Sequence, residues 1–293
     1  MSQPPPAPAT TEQVMMNPVA TAQPAAAPPT GKAPVNWMPA PAAVTGVPPG
    51  LEYLSQIDQL LVHQIIELFE MFTGFEMQNK YAIKNSLGQQ VYFAVEESDF
   101  CMRQCCGPGR GFTMHIMDNT QREVIRLVRP FMCCAGCPWC AHMDSCGFVV
   151  QVEAPVGTVI GYVRQQQYFL GPRIDILDQD KNCVLKIKGP YCMCQDICCQ
   201  DDIVFDVLTA DKATQVGKVS KQWPGCFKAS FTDADNFGVT FPADLHVNVK
   251  ATLLAAVFLI GYGFAMLLLG VWMLYVAPER VVGAMLGVFA QGA

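Results

Sequence analysis

The sequence predicts a mainly β domain that is either a sandwich or a closed antiparallel barrel. Residues 75–242 contain short runs of alternating apolar and polar residues, broken by Gly, Asn and Asp. A hairpin pattern recurs within these runs, and their even spacing is typical of sandwiches and barrels. Of the 293 residues, 51% are hydrophobic and 15% are charged. The chain can therefore bury a sizeable core, and its net charge of −6 gives no nucleic-acid footprint.

Residues 1–47 are predicted to form a disordered Pro/Ala-rich tail. Thirteen of the 22 prolines lie in the first 50 residues, which hold only two charges. Proline removes backbone donors, and too little apolar surface is present to offset the entropy of ordering. Pro5 and Pro8 form a PxxP pattern, so we expect either an SH3- or WW-type partner or a plain linker. The start of the chain has no basic and apolar leader, which predicts a cytosolic body.

Residues 51–72 are predicted to form an amphipathic helix within a β domain that spans 48–250. Their apolar residues recur at spacings of three and four, which is one face of a helix.

An internal repeat predicts β-hairpins. The triplets Ile83–Asn85–Val91, Ile116–Asp118–Val124 and Ile176–Asp178–Val184 share spacings of two and eight, and each reads as strand, polar turn and strand. We predict twelve strands, at 80–85, 90–95, 112–117, 123–128, 148–153, 159–164, 172–177, 183–188, 203–208, 215–219, 227–231 and 238–242.

All 14 cysteines lie between Cys101 and Cys226, and a cluster follows each repeated hairpin. If the three hairpins are equivalent in the sheet, all three clusters leave the sheet at the same end. A reducing cytosol argues against disulfides. The run Cys133, Cys134, Cys137 and Cys140 fits thioacylation best, metal binding second and inert burial third, because iron–sulfur and zinc spacings match poorly.

Residues 251–276 form 26 consecutive uncharged positions. As a helix they would reach ~39 Å, which exceeds a hydrocarbon core of ~30 Å. They predict a transmembrane helix, or a helix buried in a barrel, and hydropathy alone cannot separate the two. Twelve short strands enclose only ~20 Å of helix. We therefore predict a divided helix, with 251–262 inside the barrel, the rest exposed to lipid, and a short tail at 277–293.

A partial calcium loop precedes this segment. Asp233, Asp235 and Asp244 occupy positions 1, 3 and 12 of the twelve-residue pattern, and Gly238 occupies position 6. Position 7, Val239, would offer its backbone carbonyl, but position 5 is Phe237, which has no side-chain oxygen. The alternative is a plain acidic turn that binds no calcium, and the spacing alone slightly favours this alternative.

No enzyme signature is present: the sequence lacks GxSxG, HExxH, GxGxxG and Walker A motifs, and its four histidines do not accompany a nucleophile. We predict that the protein is not an enzyme. Lys218 and Lys221 are too few for a basic patch, so 217–223 reads as an edge strand.

Long stretches of this sequence resemble the phospholipid scramblase family. The resemblance rests on the segments PPGLEYLSQIDQLLVHQ (48–64), TGFEMQNKYAIKNSLGQQVYFAVEESDFCMRQCCGP (73–108), IGYVRQ (160–165), GKVSKQW (217–223) and FTDADNFGVTFPADL (231–245). It implies a 12-stranded antiparallel tubby-like barrel around a C-terminal apolar helix. It also implies calcium-responsive, ATP-independent movement of membrane phospholipids between leaflets.

The resemblance implies roles for particular residues as well. The calcium segment maps onto Asp233, Asp235, Phe237, Val239 and Asp244, and the thioacylated run onto 133–140. The nuclear import segment maps onto Gly217, Lys218, Val219, Ser220, Lys221, Gln222 and Trp223. Three departures stand out: residues 135–136 and 138–139 split the cysteine run, His246 replaces a typical acidic residue, and a second apolar stretch follows at 281–290.

Two functions follow as expectations. The first is a calcium-responsive scramblase at the plasma membrane, with its barrel on the cytosolic side. A homo-oligomer or a thinned bilayer would provide the lipid path. The second is a membrane-tethered adaptor that binds lipid or protein, with a nuclear pool when it is not acylated.

Overall fold

The computed structural model describes residues 35–65, 78–132, 141, 146–168, 171–191, 202–222 and 236–276, except for the side chains of Pro108 and of 263–276. Twelve strands form one closed barrel in which each strand pairs antiparallel with its sequence neighbours, and the last strand pairs with the first. The predicted mainly β, twelve-stranded barrel is confirmed, and the sandwich alternative is wrong.

The elements are α1 (Glu52–Ser55), β1 (Gln59–Ile65), β2 (Lys80–Lys84), β3 (Gln90–Glu97), α2 (Phe100–Cys106), a 3₁₀ turn (Gly107–Gly109), β4 (Phe112–Met117), β5 (Glu123–Arg129), β6 (Val149–Glu153), β7 (Val159–Gln166), β8 (Arg173–Asp178), β9 (Cys183–Lys188), β10 (Ile203–Thr209), β11 (Gln215–Lys221), β12 (Asn236–Thr240) and α3 (Val247–Val276).

The repeated triplets form equivalent hairpins, as predicted. Asn85, Asp118 and Asp178 each accept hydrogen bonds from the backbone amides two and four residues later. In all three cases a register shift lies on the strand just before this residue. The short polar side chain thus satisfies turn amides that the sheet leaves unpaired. These turns define what we call the hairpin end of the barrel.

The opposite end, where β3 ends at Glu97 and β5 ends at Arg129, is called the connection end. Longer connections leave it, including the one that contains α2. Because β3, β5 and β9 are alternate strands of an antiparallel barrel, all three finish at this end. The chain therefore departs towards each of the three predicted cysteine clusters from the connection end, in agreement with the sequence argument.

The core combines the inward faces of the strands with the apolar helix α3. Along β4, the buried Phe112, Met114 and Ile116 alternate with partly exposed residues, which is the period of two expected for a sheet with one face in the core. Within α3, every residue from Lys250 to Ile260 is at most 4% exposed. The helix therefore occupies the barrel axis.

Two sequence predictions about the strands are wrong. Residues 59–65, part of the predicted helix 51–72, form β1, and the helix that precedes it is only the four-residue α1. β1 pairs with both β2 and β12, so two ladders of backbone hydrogen bonds outweigh its helical periodicity. It also supplies the twelfth strand of the described barrel, because the predicted strand 227–231 lies outside the described residues.

The segment 217–221 is not an edge, since β11 pairs on both sides.

The predicted divided helix is confirmed in its first half. Residues 251–260 are buried in the barrel, and Tyr262 is 7% exposed. In the parts of the chain that the structure describes, there is no helix with the length and apolarity needed to cross a membrane. The predicted transmembrane helix is therefore not supported. The lipid exposure of 263–276 stays a prediction, because those side chains are not described.

Candidate functional site

The predicted calcium residues fall on both sides of a strand. Asp233 and Asp235 lie outside the described residues. Phe237 and Val239 belong to β12, where their side chains are 3% and 0% exposed and point into the core. Asp244 lies after the strand, at the hairpin end, exposed in the turn before α3.

β12 keeps these described residues apart. It is extended from Asn236 to Thr240, which corresponds to about 13 Å at the rise of a strand. The backbone of Val239 is in register with Leu60 and Val219 on its two sides. Among the described residues, no group of three or more His, Cys, Asp or Glu side chains could hold a metal ion. The calcium site stays a prediction that depends on Asp233 and Asp235.

The other predicted sites have different outcomes. Cys133, Cys134, Cys137 and Cys140 lie outside the described residues, so their acylation stays a prediction.

The predicted import segment lies mostly in β11 and ends with Trp223, outside the described residues. Lys218 is exposed, and Lys221 stands 5.9 Å from the ring centroid of Phe237. Gly217 lies so close to β12 that an added Cβ would collide with the carbonyl oxygen of Thr240. The segment is therefore also a structural part of the barrel, and its import role stays a prediction.

A polar cluster at the connection end, buried except for the partly exposed Asn79, was not predicted. It consists of Asn79, Glu96, Arg110 and Tyr262, and we call it the Glu96 cluster. Arg110 donates from Nε to Glu96 Oε1 at 2.6 Å and from Nη2 to Oε2 at 2.9 Å. Tyr262 donates to Glu96 Oε2 at 2.6 Å, and Asn79 donates to both Glu96 and the Tyr262 hydroxyl. The cluster ties α3 to the barrel wall.

The Glu96 cluster keeps its charges although it is buried. Burial by itself raises the pKa of Glu96, but the hydrogen bonds and charge of Arg110 outweigh it, and the pKa falls to about 2. The carboxyl group is therefore ionised at neutral pH. Burial raises the pKa of Tyr262 well above its usual value, so this phenol remains a hydrogen-bond donor.

Aromatic rings surround the cluster. Phe112 stacks on Tyr262 with ring centroids 4.5 Å apart. The buried Arg129 lies 4.5 Å from the Phe112 centroid and 4.7 Å from that of Phe148. Burial lowers the pKa of Arg129 to about 10, which still leaves the side chain charged at neutral pH. Cation–π contacts of this kind are stronger when they are desolvated.

The other end of the buried helix is also held by a polar side chain. Lys250 is 0% exposed. Its Nζ donates to the carbonyl oxygens of Leu54, Ile57 and Ala243 at 2.8–2.9 Å. Burial lowers the pKa of Lys250. Lys250 and Tyr262 thus fix α3 at positions about 18 Å apart along its axis.

A weak sequence signal for the Glu96 cluster existed. Tyr92, Ala94 and Glu96 share the inward face of β3, so the alternation places a carboxylate in the core. A buried carboxylate requires a partner. Its main partner, Arg110, lies 14 residues later beyond α2, and no periodicity joins the two.

One known protein family matches most of this chain. The family model described as Scramblase matches residues 38–265. This chain belongs to the scramblase family. The match begins before α1 and ends three residues after Tyr262, so it covers the barrel and the anchored part of the helix.

Several scramblases are close relatives. Phospholipid scramblase 1 of Mus musculus is 50% identical over 242 residues, which are 83% of this chain and 71% of the relative. Phospholipid scramblase 1 of Homo sapiens is 50% identical over 234 residues, 80% of this chain and 71% of the relative. Phospholipid scramblase 2 of Bos taurus is 49% identical over 242 residues, covering 83% and 80%. No solved structure matches this chain.

Proposed function

We propose that this protein is a calcium-responsive phospholipid scramblase that moves lipids in both directions between leaflets without ATP. Membership of the scramblase family and the names of its relatives support phospholipid scrambling. The observation that carries the proposal is the helix α3, which is fixed in the barrel by Lys250 and Tyr262 and continues to Val276 beyond the connection end. About 21 Å of helix follow Tyr262, and their sequence, 263–276, contains no charge.

Calcium would act through Asp233 and Asp235, with Asp244 as a further contributor. Binding a divalent cation removes negative charge from the segment before β12. In a chain with a net charge of −6, this lowers the repulsion from anionic lipid. We therefore expect calcium to favour docking of the connection end on the bilayer.

The lipid path requires more than one copy or a thinned bilayer. The described polar side chains of the apolar stretch are already engaged: Thr252 donates to the carbonyl of Asn248 at 2.8 Å, and Tyr262 donates to Glu96. Headgroups would therefore not find a polar route along this part of α3, and we infer a homo-oligomer or local bilayer thinning.

Lipid transfer in reconstituted liposomes tests the proposal directly. The purified full chain is placed in vesicles that contain a fluorescent phospholipid, and dithionite then quenches the outer leaflet. We expect quenching beyond half of the signal with calcium and without ATP, and a smaller effect when calcium is chelated. Quenching that stops at half in both conditions would reject the proposal.

A second candidate function is a membrane-tethered adaptor without transport activity. It is favoured by the enclosure of α3, since Ala251, Leu253, Leu254 and Ala255 are each 0% exposed and contact only protein. In the same assay, an adaptor would bind vesicles without exchanging their lipids.

Several further features belong to the proposal. Acylation of Cys133, Cys134, Cys137 and Cys140 would add the second signal that stable membrane attachment needs. We expect a plasma-membrane location with the barrel in the cytosol, and a nuclear pool, dependent on 217–223, when acylation is lost. The Pro-rich tail would recruit SH3- or WW-type partners.

A further inference from the structure

A cationic groove crosses the outer face of β8, β9 and β10. Its volume is about 440 Å³, and among the residues that line it are Gln166, Arg173, Asp175, Lys186, Lys188 and Lys212. Four of these six side chains are positively charged and one is negatively charged, in a chain whose net charge is −6. The groove is therefore positively charged, although the chain as a whole is negatively charged.

Two of the cations are paired across neighbouring strands. Arg173 and Lys188 are directly opposite each other across β8 and β9, and the next pair on the same face is Asp175 and Lys186. Like charges directly opposite each other destabilise a sheet. None of Arg173, Lys186, Lys188 and Lys212 forms an ion pair with another residue that the structure describes. Lys186 instead donates to the carbonyl of Ala210 at 2.8 Å. Asp175 is the one carboxylate among the lining residues, while Asp206 on β10 lies opposite Lys188 outside the lining. The lining itself therefore carries a surplus of positive charge.

We propose that this groove binds an anion with more than one phosphate group. Arg binds phosphate through two parallel N–H donors, and Lys binds it as a point charge. Lys186 and Lys188 are two residues apart on one strand, so their Cα atoms are about 7 Å apart, and Arg173 lies about 5 Å across from Lys188. Four cations and one carboxylate give the lining a net charge of +3, which exceeds the charge of about −2 on one phosphate group. Two linked or neighbouring phosphates match this charge better.

Two sources offer this chemistry: a soluble polyphosphate and the headgroups of adjacent phosphomonoester lipids on a membrane. Both would use the same groove. Neither requires lipid to cross the bilayer, so the inference goes beyond the proposed scrambling and stands or falls separately from it.

A matched pair of variants tests the groove. Lys212 and Lys181 occupy equivalent left-handed turn positions, with φ of 63° and 64°, and each Lys→Gly change removes one exposed positive charge while relieving the same backbone strain. Only Lys212 lines the groove. In isothermal titration of the full chain with inorganic pyrophosphate, in micelles and calcium-free buffer, Lys212→Gly should weaken binding at least about tenfold. Lys181→Gly should leave the Kd within about twofold.

Arg173→Gln supplies a second criterion. It should abolish pyrophosphate binding while the midpoint of urea unfolding stays unchanged or rises, since a like-charge pair is removed. Equal loss of binding in the Lys212 and Lys181 variants would overturn the proposal. So would an unmodified chain that binds neither pyrophosphate nor vesicles containing phosphatidic acid.

Binding to vesicles distinguishes a lipid headgroup from a soluble anion as the ligand of the groove. Co-sedimentation with phosphatidylcholine vesicles that contain phosphatidic acid is compared with phosphatidylcholine alone. A groove-dependent gain with phosphatidic acid, competed by pyrophosphate, supports a lipid headgroup. Pyrophosphate binding without such a gain supports a soluble anion.

Discussion

Tyr262 donates a 2.6 Å hydrogen bond to the carboxylate of Glu96, a residue 166 positions earlier in the chain. The bond joins the axial helix to the wall of the barrel at the connection end. Lys250 does the same at the hairpin end through three backbone carbonyls. An otherwise apolar helix is thus held at a defined depth by one polar contact site at each end of its buried part.

Removing the Tyr262 hydroxyl should destabilise the barrel. Hydrogen bonds to a charged group contribute about 1.5–3 kcal/mol, so Tyr262→Phe should lower the free energy of unfolding by about 2 kcal/mol in urea titrations. The control is Tyr162→Phe on β7, a partly exposed position, where we expect a change below about 0.5 kcal/mol. Equal effects at both positions would show that the Glu96 contact does not anchor the helix.

The Glu96 cluster should make stability sensitive to acid. The pKa of Glu96 is about 2 in the folded protein, against an ordinary value of 4.5 for a glutamate side chain. Because the folded pKa is the lower one, this stabilisation is present above about pH 4.5 and is lost as the pH falls towards 2. Its full size is about 3 kcal/mol.

The acid dependence is measured by urea unfolding between pH 6 and pH 2.5. In Glu96→Gln, the free energy of unfolding should fall less steeply as the pH is lowered, because the ionised carboxylate is absent. The variant should also be less stable at neutral pH, because Arg110 is left without a carboxylate. A double variant that adds Arg110→Met separates the two effects. If the free energy of unfolding of Glu96→Gln depends on pH as strongly as that of the unmodified protein, the low pKa assigned to Glu96 is contradicted.

Replacing Lys250 should be costly despite the apolar surroundings. Lys250→Met leaves three carbonyl oxygens without their donor, and we expect a loss of about 3 kcal/mol in the free energy of unfolding. Lys218→Met, at an exposed position on β11, is the control and should change stability by less than about 0.5 kcal/mol. A tolerated Lys250→Met change would mean that water satisfies these carbonyls.

Gly217 should be needed for folding independently of any import signal. Gly217→Ala pushes a methyl group into the carbonyl of Thr240, and overpacking against backbone costs about 2 kcal/mol or more. Gly238→Ala on the neighbouring strand places its methyl group 3.2 Å from the rotatable Ser220 hydroxyl and should be nearly neutral. Thermal unfolding compares the two variants. Nuclear import is better tested with Lys218→Gln and Lys221→Gln, which leave the backbone packing intact.

Calcium binding should depend unequally on the three carboxylates. Asp233→Ala or Asp235→Ala should weaken calcium binding at least about tenfold, because each removes a charged ligand from a sparse site. Asp244 lies beyond the far end of β12, so Asp244→Ala should weaken it by less than about threefold. Isothermal titration measures all three. An effect of Asp244→Ala as large as that of Asp233→Ala would require the end of β12 to detach from the barrel.

Local patterns predicted those parts of the fold that local interactions stabilise. The hairpins around Asn85, Asp118 and Asp178 follow from an Asx side chain that caps its own turn, and this depends on residues at most four positions away. The prediction of a helix over 51–72 failed for the opposite reason. Residues 59–65 have helical periodicity, but their backbone pairs with β2 and β12, and β12 is more than 170 residues away.

The sequence by itself determined that the part of α3 from 251 to 276 is uncharged, and the alternation along β3 places Glu96 on the same face as Tyr92 and Ala94. Only the tertiary structure decided that the helix fills the barrel and that Glu96 meets Arg110 and Tyr262. The physical reason is that an apolar helix is equally stable against lipid or against the inner face of a sheet, so its partner depends on barrel closure. Closure in turn depends on the pairing of β1 with β12, which no short-range pattern encodes.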